Sequence, residues 1–267
     1  MVKPRLCFTL LYANGKFYLS RNFQLQAVGD VDWLIENYEF DSIARSIDEL
    51  IILNVSRDSV DWNQFVECVQ KIVRHCFMPV AVGGGVRSIE QAELLFSSGA
   101  DKVVLNTAFL TDQGFAGQLV NKYGSQSIIA SLDFKRIEGG VYRVMSDNGQ
   151  VNTGLDLEQA FDKIATVGAG ELYLTSIDRD GTGMGYDLEA IELAFNACGL
   201  PLIVAGGADT SDRLAEGIKT GFVSAVTTAH LFNFMGDGLK DARMELMNSG
   251  IALSEWNFEE LQNVNQG

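Results

Sequence analysis

Eight short apolar runs recur along the chain, separated by longer stretches in which apolar residues return every three or four positions. The runs are Arg5 to Leu11, Asp48 to Asn54, Met78 to Gly83, Asp101 to Asn106, Ser127 to Asp133, Gly170 to Ser176, Pro201 to Ala205 and Val223 to Thr228. The intervening periodicity predicts helices over 31–46, 59–75, 88–98, 112–123, 155–167, 187–198, 210–219 and 235–248. Strands that alternate with helices pair in parallel through crossover connections. Eight such units predict an α/β fold, a closed (β/α)8 barrel of the TIM type.

The units fall into two similar halves. Glu49 is matched by Glu171, Asn54 by Ser176 and Asp58 by Asp180, each pair 122 positions apart. At the same offset Gly83-Gly84-Gly85 falls on Ala205-Gly206-Gly207, Gly99 on Gly221 and Asn106 on Thr228. A constant offset through strand, turn and helix predicts two half-barrels built on one plan. With three prolines in the whole chain and no Ser/Pro-rich linker, residues 1–267 are expected to form one barrel domain.

Two connections exceed what a barrel requires. Tyr12 to Gly29 carries Asn14-Gly15, a two-residue hairpin signal, followed by a polar segment, Ser20-Arg21-Asn22-Phe23. Phe134 to Gly154 carries Gly139-Gly140 and Asp147-Asn148-Gly149 around Val141-Tyr142-Arg143-Val144, again hairpin-like. Both follow strands at the end where barrel sites form, so both are expected to act as lids.

Composition narrows the chemistry. A net charge of −15 excludes a duplex-binding surface, which depends on Lys and Arg at the phosphates. No run reaches the roughly 18 apolar residues of a membrane span, and the apolar stretch after Met1-Val2-Lys3-Pro4-Arg5 is short for a signal peptide, so a cytoplasmic location is expected. Cys7, Cys68, Cys76 and Cys198 have no metal-ligand spacing and read as reduced thiols. His75 and His230 are the only histidines, so neither a zinc site nor a Ser-His-Asp triad is assigned, and no cofactor is expected.

Gly84-Gly85 and Gly206-Gly207 each follow an apolar strand and precede a helix. Such turns either serve tight chain reversal or offer backbone N–H groups to a phosphate. Their duplication, with Asn106-Thr107 and Thr227-Thr228 one strand later, points to two phosphate sites and a ligand phosphorylated at both ends. Asp180, Gly181 and Thr182, in the loop after the sixth strand, complete that candidate set. Asp133 ends an apolar strand at the mouth and is the candidate acid–base group, with Asp180 a second; Asp178 either joins them or pairs with Arg179 or another base. The counterpart of Asp133 in the first half is Leu11, which cannot transfer a proton. Arg5, Glu49, Lys102 and Glu171 begin strands and should gather at the opposite end as a mutually neutralising plug.

Phe8-Thr9-Leu10-Leu11, Asp48-Glu49-Leu50, Val82-Gly83-Gly84-Gly85, Gly99-Ala100-Asp101-Lys102, Leu132-Asp133-Phe134-Lys135-Arg136, Asn152-Thr153-Gly154, Gly170-Glu171 and Leu174-Thr175-Ser176-Ile177-Asp178-Arg179-Asp180-Gly181-Thr182 follow one another in order. Together they resemble the cyclase subunit of imidazole glycerol phosphate synthase, the HisF family, over essentially the whole chain. The resemblance implies a barrel that docks a glutaminase subunit at its N-terminal end. Ammonia then passes through the barrel to a bisphosphorylated ribulosyl substrate at the mouth. It makes Arg5, Glu49, Lys102 and Glu171 the ammonia gate, and Asp101 a residue facing the glutaminase.

The mouth departs from the family. Of its two catalytic aspartates the second is Asp133 and the first is Leu11; its loop lysine is Leu19, its Asp after strand 2 is Asn54, and its Ser before the second glycine pair is Ala205. This combination resembles the divergent cyclase-like proteins of surface-polysaccharide pathways. Those work with a glutaminase-like partner and a separate ATP-using sugar amidotransferase to build acetamidino groups on nucleotide-activated sugars. An orthodox synthase subunit of histidine biosynthesis and a non-catalytic activator of the glutaminase are the alternatives.

Overall fold

The computed structural model describes residues 3–38, 43, 46–57 and 60–255. Eight strands form the barrel wall: β1 (Arg5–Ala13), β4 (Glu49–Asn54), β5 (Val80–Gly83), β6 (Lys102–Leu105), β7 (Ile128–Arg136), β10 (Glu171–Ser176), β11 (Leu202–Ala205) and β12 (Ala225–Thr228). Each pairs in parallel with its neighbours, and pairing of β10 with β7 closes the ring. The barrel expected from the apolar runs is the fold observed.

The helices are α1 (Val31–Asn37), α2 (Trp62–Val73), α3 (Ile89–Ser97), α4 (Thr107–Thr111), α5 (Gln113–Tyr123), α6 (Leu157–Val167), α7 (Leu188–Cys198), α8 (Ser211–Lys219) and α9 (Gly238–Asn248). Seven start at a side-chain cap: Asp30, Asp61, Ser88, Asp112, Asp156, Asp187 and Thr210 each accept from an N–H one turn inside the helix. These caps satisfy donors that a helix leaves open, which fixes where each helix begins. The short α4 had no separate periodic signal. Most of the expected continuation of the first helix to 46, and Asp58 of the repeat, lie outside the described residues. No described helix is long and apolar enough to cross a membrane.

Both long connections form antiparallel ribbons. Asn14 and Gly15 take φ of 47° and 78° between β1 and β2 (Lys16–Arg21), the left-handed pair that a two-residue hairpin needs. A second such pair, Asn22 and Phe23 at 50° and 62°, turns β2 into β3 (Gln24–Gly29), a strand that the polar segment did not reveal. The other ribbon runs from the overlong β7 into β8 (Tyr142–Ser146) and β9 (Val151–Asn152).

Strand alternation divides the apolar residues into two cores. Leu6, Phe8, Leu10, Leu50, Ile52 and Leu172 belong to the outer core between barrel and helices. Cys7, Ile51, Ala81, Val104, Ile129, Tyr173, Ile203 and Ala225 fill the bore. At the N-terminal rim, Arg243 of α9 reaches Asp48 with two nitrogens at 3.1 and 3.0 Å, and Asp48 also accepts the Leu6 N–H at 2.7 Å. Both side chains are buried. A buried charge left without its partner costs about 3–5 kcal/mol. Arg243→Met should therefore lower the unfolding free energy by an amount of that order, read from urea unfolding followed by circular dichroism, while Asp48→Asn with Arg243→Met should recover part of the loss.

Candidate functional site

The C-terminal ends of the barrel strands and the two ribbons enclose a cavity of about 1040 Å³. Asp133, on β7, is aligned with Thr175 of β10 and accepts a hydrogen bond from Asn106 Nδ2 at 2.8 Å. Burial pushes the Asp133 carboxyl up to about 7; the Asn106 bond pulls it down, the Asp180 carboxylate raises it, and Thr175 lowers it again. A group that titrates near neutrality can give or take a proton under ordinary conditions. Asn106 Oδ1 is buried with no partner among the described residues, so it leaves an acceptor open beside that carboxyl.

Leu11 stands on β1, half a turn around the eight-stranded ring from β7, and is aligned with Leu53 and Tyr18. It lines the cavity, as does Leu19, which also packs against the outer core. Tyr12 points outward, its ring edge-on to Phe17 and tilted against Phe65, and so supplies no substitute for a carboxylate at position 11.

The two glycine turns are equivalent in space. A Cβ on Gly84 would lie 2.0 Å from the Asn54 carbonyl oxygen, and one on Gly206 would lie 2.5 Å from that of Ser176. Glycine is therefore required for packing at both turns, whatever else they do. Both turns line the cavity, together with Thr107, Thr227, Thr228, Asp180 and Gly181.

Several expected contacts go elsewhere. The Asn106 amide is committed to Asp133. Thr182 does not line the cavity; its hydroxyl donates to Arg179 O at 2.7 Å and accepts from Met184 N, bracing its own loop. The Thr228 hydroxyl donates to Ala208 O at 2.8 Å and accepts from His230 N, while Thr227 turns down the bore toward Thr9. Asp180 accepts from the Ser20 hydroxyl and from Phe23 N at 3.0 Å, tying the first ribbon across the mouth. A carboxylate so used opposes a phosphate beside it. Asp178 accepts from the Arg136 backbone N–H at 2.6 Å and does not line the cavity, so of the expected alternatives it meets a basic residue other than Arg179, through its backbone.

His230, Arg57 and Arg87 also line the cavity and were missed, because no motif or spacing marks them. His230 Nδ1 accepts from Asn233 N at 3.2 Å, which places the proton of the neutral ring on Nε2. Among the described residues no cluster of His, Cys, Asp and Glu is arranged to hold a metal ion.

At the opposite end, four side chains form a closed cycle of alternating charge. Arg5 pairs with Glu49 and Glu171, and Lys102 Nζ lies 2.8 Å from Glu49 Oε1 and 2.6 Å from Glu171 Oε2. Burial works against the Lys102 charge, but Glu49 and Glu171 outweigh it and hold the amine above its usual range. Asp101, exposed beside this cycle, accepts the Val80 N–H at 2.8 Å.

The Asp133 proton is held more tightly in the folded chain than in the unfolded one, where an Asp titrates at about 3.9. The stabilisation present below that value is lost as pH rises through about 7. Asp133→Asn should therefore gain stability relative to the wild type across this window, and equilibrium unfolding at a series of pH values measures the difference. A constant difference would show that Asp133 is not shifted.

Residues 24–237 match the family model described as histidine biosynthesis protein. Over 257 residues the chain is 42% identical to a protein of Parasynechococcus marenigrum provisionally named imidazole glycerol phosphate synthase subunit hisF2, covering 96% of this chain and 95% of that one. It is 33% identical over 255 residues to the imidazole glycerol phosphate synthase subunit HisF of Chloroherpeton thalassium, covering 95% of this chain and 99% of that one. The chain belongs to the HisF family of histidine-biosynthesis proteins.

Proposed function

We propose that this HisF-like subunit receives ammonia from a glutaminase partner at the N-terminal end of its barrel and passes it along the bore for an amination, with ring-forming cyclase chemistry lost or strongly reduced. HisF subunits work with a HisH glutaminase, and the charge cycle of Arg5, Glu49, Lys102 and Glu171 supports passage at the matching end. Asp101 and Phe77, the latter 78% exposed on the same rim, supply a docking surface with both charge and apolar area. In this reading the acceptor is a nucleotide-activated sugar, aminated with a separate ATP-using sugar amidotransferase during surface-polysaccharide assembly. The glycine turns hold a phosphorylated small molecule through backbone N–H groups.

The observation that carries the reading is the contrast between the two ends of one barrel. The charge cycle is complete, whereas the mouth carries Asp133 on one side and Leu11 on the other. Asp133, held by the Asn106 amide, is a proton-transfer group, but a mechanism that needs a second carboxylate across the bore finds an aliphatic side chain. Loss of one such group commonly costs about 10²–10⁴ in rate. The second reading, an orthodox cyclase of histidine biosynthesis, is favoured by the names of both relatives.

An assay with free ammonium and the bisphosphorylated ribulosyl substrate separates the two readings without a partner. The wild type should turn over at least about 10²-fold more slowly than a two-aspartate family member. Leu11→Asp combined with Leu19→Lys should raise that rate. Robust turnover by the wild type would make the orthodox cyclase the better reading.

A further inference from the structure

The mouth cavity stops partway down the barrel. Its deep lining includes Thr9 of β1, Thr227 of β12, Tyr173 of β10 and Ser131 of β7. Thr9 Oγ1 lies 3.0 Å from the Tyr173 hydroxyl oxygen and 2.8 Å from Thr227 Oγ1, so three hydroxyls from three strands form one hydrogen-bonded chain. In the sheet β10 and β1 are separated by β11 and β12, so the contact between Tyr173 and Thr9 crosses the bore.

Beneath this chain the bore is lined by Cys7, Ile51, Ala81, Ile129, Ile203 and Ala225, none of which reaches the cavity. The Tyr173 ring packs with that layer and, among the described residues, is its only aromatic member. Three of its companions, Cys7, Ala81 and Ala225, are small. The ring therefore occupies space that the strands themselves leave unfilled. Lower still lies the charge cycle of Arg5, Glu49, Lys102 and Glu171.

We propose that Tyr173 is the inner neck of the barrel: it separates the mouth cavity from the bore below and swings aside, giving up its bond to Thr9, to admit a small neutral molecule that both donates and accepts hydrogen bonds. That the molecule is ammonia rests on the proposed passage; the closure itself requires no partner. Ammonia can exchange bonds with Thr9, Tyr173 and Thr227 in turn, since each hydroxyl serves as donor and acceptor. Ammonium has no lone pair to offer and would leave its water behind among apolar side chains, which disfavours it. Burial keeps the Tyr173 hydroxyl protonated by pushing its pKa up, so the neck carries no charge of its own.

Cys7 reports on the neck. It is wholly buried in the layer directly below Thr9, and burial pushes its thiol well above the usual range, so it should react slowly in the native chain. The test is modification by methyl methanethiosulfonate, a small neutral reagent, with the Cys7 peptide followed by mass spectrometry. Cys68, buried in the outer core, reports global opening in the same sample. Tyr173→Leu should speed Cys7 modification by about tenfold or more with Cys68 unchanged, because only a local opening has become easier. Tyr173→Phe keeps the ring and removes the hydroxyl; it should give a smaller rise, of about threefold or more, and decides the matter if the leucine variant does not fold. An unchanged Cys7 rate, or a rise that Cys68 shares, would overturn the neck. Neither a glutaminase nor an acceptor enters the assay, so its outcome is separate from that of the proposed function.

Discussion

A carboxylate that is almost completely buried in a barrel must meet positive charge, and Glu49 meets it on two sides. Glu171 repeats the arrangement with the same two cations, so the four side chains close into a neutral cycle spanning β1, β4, β6 and β10. Loss of any member would strand a charge in a poorly solvated place, at a cost of several kcal/mol. A few apolar residues would seal the end of a barrel more simply. The cycle closes the N-terminal end with paired polar groups instead. The small side chains, the Tyr173 ring and the hydroxyl chain follow in order toward the mouth.

The two half-barrels are the second constraint. Gly84 against Asn54 and Gly206 against Ser176 are the same contact made twice, and Glu49 and Glu171 occupy equivalent places in the cycle. The symmetry fails where chemistry would be expected. Asp133 has Leu11 as its counterpart, and the surroundings of the two turns differ as well: Arg57 and Arg87 line the cavity in the first half, Asp209 and His230 in the second. Backbone geometry has been kept in both halves while the side chains around it have diverged.

Much of this was legible in the chain. Eight apolar runs gave the barrel strands, and Asn14-Gly15 marked a hairpin, because strand periodicity and left-handed turns are local properties. The strand Gln24–Gly29 was not visible, since its alternation is shallow and it lies over the mouth with most residues partly exposed. Where a hydroxyl or amide points is decided by neighbours distant in sequence. Asn106 went to Asp133 and Asp178 to the backbone of Arg136 for that reason. Tyr173 sits in an apolar run and looked like any core residue; its hydroxyl acquires meaning only when β1 and β12 close around it.

If the charge cycle is an entrance served by a glutaminase, that partner's hydrolysis of glutamine should respond to the barrel. A glutaminase of the HisH type would be assayed alone, with an equimolar amount of the barrel, and with a barrel carrying Asp101→Lys. Stable association and faster hydrolysis with the wild-type barrel, both weakened by Asp101→Lys, are the predicted result. No association, together with a rate equal to that of the glutaminase alone, would show that the cycle is no such entrance.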